Sequence, residues 1–306
     1  MHLHVTHETR YAYTPAVETA QHMAHLKPRN TATQQLLSHA LHFNPEPAQH
    51  TESQDVYGNT RTFISLQAAH DELVVRAESV LATEEPPEPQ SEVPWEQVRE
   101  SFRYHAGSAF DAAAEFVFAS PYVPRHADFT AYARPSFGAG VPLLAAALDL
   151  MQRIHSDMRY ESQSTEINTP AIKALAQRKG VCQDFAHIMV ACLRAMGLPA
   201  RYVSGYLLTE PPPGKPRLVG CDASHAWVSL YLPDLPDGPG WCDLDPTNNR
   251  YPGADYVTLA HGRDFADVSP LRGVIHGGAH HDLHVAVTVM PLAQPSPDDA
   301  DALPTI

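Results

Sequence analysis

The chain has 306 residues, of which 43% are hydrophobic, and a formal net charge of −14 at pH 7. This length can bury one large core or two modest ones, and the acidic balance disfavours nucleic acid and anionic membranes as partners. The four cysteines lie far apart without Cys-x-x-Cys spacing, which indicates neither a zinc site nor a disulfide framework and suits a reducing compartment. No secretory signal and no bilayer-length apolar run is evident, so we expect a cytoplasmic location.

Residues 1–83 alternate between apolar and polar side chains in short segments. We predict strands at residues 2–5, 11–13, 62–66 and 72–80, with a turn at 55–59. This pattern predicts a β-sandwich-like domain, and it contains no catalytic constellation. A Glu/Pro-rich linker at 84–94 follows.

Helical spacing dominates the next part of the chain. We predict a helix over residues 95–118, with Phe102, Phe110 and Phe116 as core contacts, and another over 143–158. Three prolines keep the stretch between them irregular. A loop at 160–169 leads to a helix at 171–179, with Thr169 as its N-cap and Pro170 at its first position.

Gly180 separates that helix from a longer one that begins at Cys182 and ends at Gly197. Its apolar residues have the spacing of one buried face: Phe185, Ile188, Met189, Cys192, Leu193 and Met196. Cys182 therefore lies in the first helical turn, where unpaired N–H groups and the helix dipole favour a thiolate over a thiol.

Strand patterns follow the Cys182 helix. We predict strands at 200–208, 224–232 and 241–245, an irregular loop at 210–219, and a strand at 283–290 that could close the same sheet. A polar, acidic tail over 293–306 is expected to be disordered. Residues 95–292 thus form an α+β core, with helices first and an antiparallel sheet after them.

Three residue types in this order suit nucleophilic catalysis. Cys182 begins a helix, His225 lies on a strand, and Asp245 ends the next strand. A thiol nucleophile, a general base and a carboxylate that orients the base form such a set. Cys182 alone would more often be a small buried residue at a helix start.

The sequence resembles the transglutaminase-like superfamily, in particular the bacterial branch described as transglutaminase-like cysteine proteases. The resemblance is carried by residues 180–186, 197–206, 224–227 and 245–248. It extends to the N-terminal segment, and it implies a papain-like core in which a helix-borne Cys faces a sheet-borne His. It also implies that Cys182, His225 and Asp245 form the catalytic triad.

Several nearby residues compete for these roles. His187 lies five positions after Cys182 on the same helix and points well away from it, which makes it a poor base. Asp243 has the same strand parity as Asp245, and only the match to the family's Asp-Pro-Thr motif favours Asp245. We expect Asp184 to be a helix N-terminal charge and Cys192 to be core, whereas Trp227 either shields the site or only packs.

The proposed chemistry is acyl transfer through a Cys182 thioester, with the Cys182 N–H as first oxyanion donor; Gln183 and Tyr160 are guesses for the second. Three functions remain open: hydrolysis of an amide, peptide or isopeptide bond, favoured on the resemblance; acyl transfer from glutamine to an amine; and a non-catalytic binding module. The substrate would be a peptide or protein. We expect neither cofactor nor metal, because His276, His280, His281 and His284 lack a fixed ligand geometry, and the oligomeric state is not indicated.

Overall fold

The structure is a computed structural model that describes residues 1–103, 105–107, 110–161, 169–209, 224–235, 240–278 and 280–292. The predicted loops at 160–169 and 210–219 lie largely outside the described residues, as do Cys221 and the predicted tail. Within the described part of the chain, no helix is long and apolar enough to cross a membrane.

The first sheet has seven strands organised around one long strand. These are β1 (His2–Ala24), β2 (Gln34–Asn44), β3 (Gln49–Gln54), β4 (Thr60–Leu66), β5 (His70–Thr83), β12 (Leu271–Gly277) and β13 (His280–Pro291). The first half of β1 pairs with β5 and β13, and its second half pairs with β4 and β12. The two short strands predicted at 2–5 and 11–13 are parts of β1, because partners on both sides keep it extended.

The strand predicted at 283–290 exists, but it does not close the core sheet. It is part of β13 and pairs with β1, with Val285 opposite Thr9 and Val287 opposite His7. Strand alternation reports burial on one face and carries no information on which neighbour a strand pairs with. The division into units at 1–83, 84–94 and 95–292 stays a prediction, although residues 271–291 belong to the first sheet.

The core is α+β, as predicted. Its helices are α1 (Trp95–Ser101), α2 (Ala127–Ala133), α3 (Leu143–Asp157), α4 (Ala171–Gln177), α5 (Cys182–Ala195) and α6 (Phe265–Val268), with 3-10 helices at Ala112–Val117 and Arg134–Ser136. A four-stranded antiparallel sheet follows the order β10-β9-β8-β11, from β8 (Ala200–Leu207), β9 (Ser224–Tyr231), β10 (Trp241–Leu244) and β11 (Tyr256–Gly262). A short parallel pair joins β6 (Arg159–Tyr160) to β7 (Lys179–Gly180).

Three local predictions were wrong. The helix predicted over 95–118 stops at Ser101. It does not resume, because Gly107 adopts a left-handed φ of +85° and Asp111 starts a separate 3-10 helix by accepting from the Ala113 N–H. Phe110, predicted to be a core contact, is 87% exposed. The stretch predicted to be irregular contains α2. Pro170, rather than Thr169, occupies the N-cap position of α4.

The first sheet protects the exposed edge of the core sheet. Strand β11 is an edge strand, and two buried amide side chains bind its backbone as a neighbouring strand would. Gln34 donates to the Thr258 carbonyl at 2.8 Å and accepts from its N–H at 2.8 Å. Asn59 donates to the His261 carbonyl at 2.8 Å and accepts from its N–H at 3.0 Å. These contacts satisfy backbone groups that would otherwise invite edge-to-edge pairing.

Candidate active site

Cys182 is fixed at the first residue of α5. The Asp184 carboxylate accepts from the Val181 N–H at 2.9 Å, which stabilises the helix start. A Cβ on residue 180 would lie 2.6 Å from that carboxylate, so the tight entry requires Gly180. Beyond the first turn the helix is buried against α2, α3, α4, β8 and β9. Cys182 itself is half-buried, with its Sγ 3.8 Å from the Ser224 carbonyl at the start of β9.

His225 lies between Cys182 and a carboxylate. It is the second residue of β9, and its Nε2 is 2.7 Å from Asp245 Oδ2. It also makes a side-chain hydrogen bond with Cys182. Burial by itself would lower the pKa of His225, but the bonds to Asp245 and Cys182 outweigh it and raise that pKa to about 10. The imidazole is therefore held as its cation beside the sulfur at neutral pH.

Asp245 is fully buried and surrounded by donors. Oδ1 accepts from the N–H groups of Thr247 and Asn248, at 2.8 and 3.2 Å. Oδ2 accepts from His225, from the Asn248 side-chain amide and from the Tyr256 hydroxyl, each at 2.7 Å. Burial would raise the pKa of Asp245, but the His225 contact and the other donors hold it below its usual value. The carboxylate is therefore ionised without contact with solvent.

Asp243, the alternative carboxylate, has a different partner. Its Oδ2 accepts from the Trp227 indole N–H at 3.0 Å. Asp243 lies within β10, whereas Asp245 follows the strand in a bridge with Arg250, so the two carboxylates diverge despite their equal parity. The structure brings together Cys182, His225 and Asp245, and leaves out Asp243; their catalytic roles stay a prediction.

Trp227 is fully buried behind His225. The two rings are 6.1 Å apart between centroids, and Tyr256 meets the indole edge-on at 5.4 Å. A Cβ on residue 205 would lie 2.5 Å from the indole and 2.1 Å from the Val257 carbonyl, so Gly205 makes room for both. Trp227 thus packs behind the imidazole and keeps water from that side.

The other histidine on the cysteine helix is outside the site. His187 is stacked between Tyr122 at 5.4 Å and Tyr202 at 4.7 Å, and its Nε2 accepts from the Phe265 N–H at 3.2 Å. Burial lowers its pKa to about 3, so the ring is neutral. Burial likewise raises the pKa of the Cys192 thiol, and that of Cys242 to about 12. Neither thiol suits nucleophilic attack.

The oxyanion donors stay predictions. The N–H groups of Asp184 and Phe185 bond back to the Val181 carbonyl, so they are engaged within the helix, and the Cys182 N–H stays the predicted first donor. Gln183 is half-buried beside it. Tyr160, in β6, is 53% exposed, with its ring 6.5 Å from that of Phe185.

The exposed histidines of β12 and β13 do not converge. His276 approaches Glu18 at 3.5 Å, whereas His280, His281 and His284 lie along β13. Among the described residues, no group of three or more His, Cys, Asp or Glu is placed to hold a metal ion.

Sequence reasoning missed two groups that touch Asp245. Asn248 lies three positions after it, a spacing typical of a turn closed by an Asp side chain, so this contact could have been anticipated. Tyr256 comes from the start of β11, and no spacing rule connects it to Asp245.

Two family models and several curated proteins match this chain. The family model described as the bacterial transglutaminase-like N-terminal region matches residues 3–82. The family model of the transglutaminase-like superfamily matches residues 130–246. An uncharacterized protein of Mycobacterium tuberculosis is 40% identical over 295 residues, which cover 94% of this chain and 92% of the relative. A protein-glutamine gamma-glutamyltransferase of Pseudomonas aeruginosa is 37% identical over 103 residues, covering 31% of this chain and 15% of that enzyme.

A solved structure shares the fold over nearly the whole chain. It is described as a candidate cysteine protease from Cytophaga hutchinsonii and has a TM-score of 0.71 at 20% identity, covering 96% of this chain and 92% of that one. Both the α+β fold and its papain-like arrangement are thereby confirmed. Together with the family matches and the full-length relative, this shows that the chain belongs to the transglutaminase-like superfamily.

Proposed function

We propose that this protein is a cysteine enzyme that hydrolyses amide bonds of peptide or protein substrates through a thioester on Cys182. The observation that carries the proposal is the chain of contacts from a buried, ionised Asp245 to His225 and on to Cys182. A buried carboxylate that holds a protonated imidazole beside a thiol favours a thiolate and imidazolium pair at neutral pH.

Each proposed step uses groups of this site. The Cys182 thiolate attacks the carbonyl carbon and forms a C–S bond, while the His225 imidazolium gives its proton to the leaving nitrogen as the C–N bond breaks. Water then attacks the thioester carbon and gives a proton to His225. The C–S bond breaks with its electron pair on sulfur, so the carboxylic acid leaves and the pair of Cys182 thiolate and His225 imidazolium is restored. Asp245 stays ionised and orients the ring throughout.

The acceptor that resolves the thioester decides between two activities. Hydrolysis is favoured because the fold matches a candidate cysteine protease along nearly the whole chain. The local likeness to a protein-glutamine gamma-glutamyltransferase favours transfer of a glutaminyl acyl group to an amine as the second candidate. Both reactions use the same first half and differ only in whether water or an amine attacks.

Intact-mass analysis separates these possibilities. The enzyme would be incubated with peptide libraries, with and without a primary amine. The Cys182→Ala variant and the matched Cys192→Ala variant would be treated in the same way. Hydrolysis gives cleaved or deamidated peptides regardless of amine, whereas transfer gives amine-dependent adducts. Both products should vanish in Cys182→Ala and persist in Cys192→Ala. Equal products in the two variants, or an inert wild type, would contradict the proposal; inertness would favour a binding module.

The predicted cytoplasmic location stays a prediction. Cell fractionation with a cytoplasmic marker enzyme would test it, because the protein should follow the marker into the soluble fraction.

A further inference from the structure

Tyr256 touches the buried end of the proposed triad from a separate strand. Its hydroxyl donates to Asp245 Oδ2 at 2.7 Å, the same oxygen that accepts from His225 Nε2 at 2.7 Å. The Tyr256 hydroxyl and His225 therefore share one carboxylate oxygen, and the hydroxyl is the only polar atom of the phenol side chain.

Three contacts hold the phenol in place. Its ring meets the Trp227 indole edge-on at 5.4 Å, and the Arg250 guanidinium lies over it at 4.7 Å. The ring centroid is 5.9 Å from that of His225. Two residues further along β11, Thr258 is held at both backbone groups by Gln34 of the first sheet. The backbone of β11 is thus held in place, and it positions the Tyr256 hydroxyl next to Asp245.

The phenol hydroxyl donates to Asp245 at 2.7 Å and accepts, at the longer distance of 3.5 Å, from the Asn248 side-chain amide. Burial, together with the negative charge of Asp245, raises the pKa of Tyr256 far above its usual value, so the hydroxyl keeps its proton. Asn248 also donates to Oδ2 at 2.7 Å, but it belongs to the same turn as Asp245 and moves with it. Tyr256 on β11 therefore holds this turn to the sheet from a second strand, beside the contact that His225 makes from β9.

We propose that Tyr256 is a positioning residue that keeps Asp245 ionised and aimed at His225, and so maintains the charged state of the Cys182–His225 pair. The proposal rests on the proposed function, since it assigns Tyr256 a part in the same site. Hydrogen bonds to a carboxylate favour its charged form and lower its pKa. Loss of the hydroxyl should therefore let Asp245 take up a proton at a higher pH.

The test is the pH dependence of Cys182 alkylation by brief iodoacetamide exposure, read by peptide mapping. In Tyr256→Phe the acid limb of the labelling profile should move upward by about one pH unit, because a protonated Asp245 no longer supports the imidazolium that pairs with the thiolate. The matched control is Tyr206→Phe, which removes an equally buried hydroxyl that lies 2.9 Å from His7 Nδ1 in the first sheet. Its acid limb should coincide with that of the wild type.

The outcomes separate this inference from the proposed function. A Tyr256→Phe profile that coincides with the wild type, or equal shifts in both variants, would overturn the role of Tyr256 and leave the proposed function standing. A wild type in which Cys182 is never labelled preferentially would overturn both. If Tyr256→Phe does not fold, 3-fluorotyrosine at position 256 decides: this more acidic phenol is a stronger donor, so the limb should move to lower pH, and an unmoved limb would overturn the inference.

Discussion

Two buried histidines lie close to the start of the cysteine helix, and their surroundings shift their pKa values in opposite directions. His187 is stacked between two tyrosines and accepts one backbone N–H, and burial lowers its pKa to about 3. His225 is almost as buried, yet its bonds to Asp245 and Cys182 raise its pKa to about 10. Burial alone makes an imidazole neutral, and an ionised partner reverses that effect. The partner, more than the depth, therefore determines which histidine can serve the thiol.

The largest expected effect comes from removing the charge of Asp245, the ionised partner of His225. Asp245→Asn removes the charge that supports the imidazolium, so burial should dominate and the pKa of His225 should fall. We expect turnover, and Cys182 alkylation near pH 6, to drop on the order of 10²-fold or more, which is less than the ~10⁴ of a serine triad because a thiol ionises more readily. A thermal melt would confirm that the variant folds.

Asp243→Asn is the matched control for that change. Asp243 accepts from Trp227 and touches neither His225 nor Cys182 in the described contacts, so its loss should matter much less. If Asp243→Asn abolished activity while Asp245→Asn preserved it, the triad would have to be redrawn around Asp243.

The cysteines should differ in their reactivity towards iodoacetamide, for the same reason that the two histidines differ in pKa. Cys182 lies beside the charged His225, whereas burial raises the pKa of Cys192 and of Cys242. Peptide mapping after brief iodoacetamide exposure should show Cys182 labelled faster on the order of tenfold or more. Faster labelling of Cys192, Cys221 or Cys242 would refute the assignment of the nucleophile.

The His225 region should also depend on the first sheet, through the edge of β11. Gln34→Leu removes three hydrogen bonds, two to Thr258 and one to the Arg29 carbonyl. It should lower the free energy of unfolding by about 2 kcal/mol, because buried backbone groups lose their partners. The matched change Gln35→Leu affects an exposed neighbour and should be close to neutral. Equal urea midpoints for the two variants would show that the amide bonds contribute nothing to stability.

The neutral state of His187 predicts a loss of stability in acid. Between pH 6.5 and about 3 the unfolded chain binds a proton at this residue while the native protein does not, so the free energy of unfolding falls as the pH falls. His187→Gln keeps an acceptor for the Phe265 N–H and removes the titration. The free energy of unfolding of this variant, measured with urea, should fall less steeply than that of the wild type as the pH is lowered. The two slopes should differ by up to ~1.4 kcal/mol per pH unit. Parallel curves would mean that His187 is already charged in the folded protein.

Limited proteolysis carries the smallest expected effect and tests the predicted linker. Most of residues 84–94 are exposed, and residues 84–93 have no regular secondary structure. Glu85 is nevertheless held in place, because it accepts from the Ala254 N–H at 2.9 Å. We expect the first cuts at 84–94 or at 210–219. First cuts inside α3, for example near Leu148, would contradict this layout.

The helices and the residues of the site were predictable where a local signal was strong. The apolar periodicity of residues 185–196 gives α5, and the motif containing Cys182 places that residue at its start. The end of the helix at 95–118 was not predictable from three phenylalanines, because Phe110 has the right residue type for a core but faces solvent. Apolar character is a weak guide at single positions, since much of any protein surface is apolar.

The sequence by itself determined the α+β class, the cysteine helix and the order of the candidate triad residues, because these follow from periodicity and from a motif shared with a family. Tertiary structure alone decided that Asp243 accepts from Trp227, that Tyr256 donates to the carboxylate oxygen that meets His225, and that the last strands join the first sheet. These are contacts between residues distant along the chain. Local pattern fixes which face of an element is buried, whereas the partner of that face depends on how all the elements pack together.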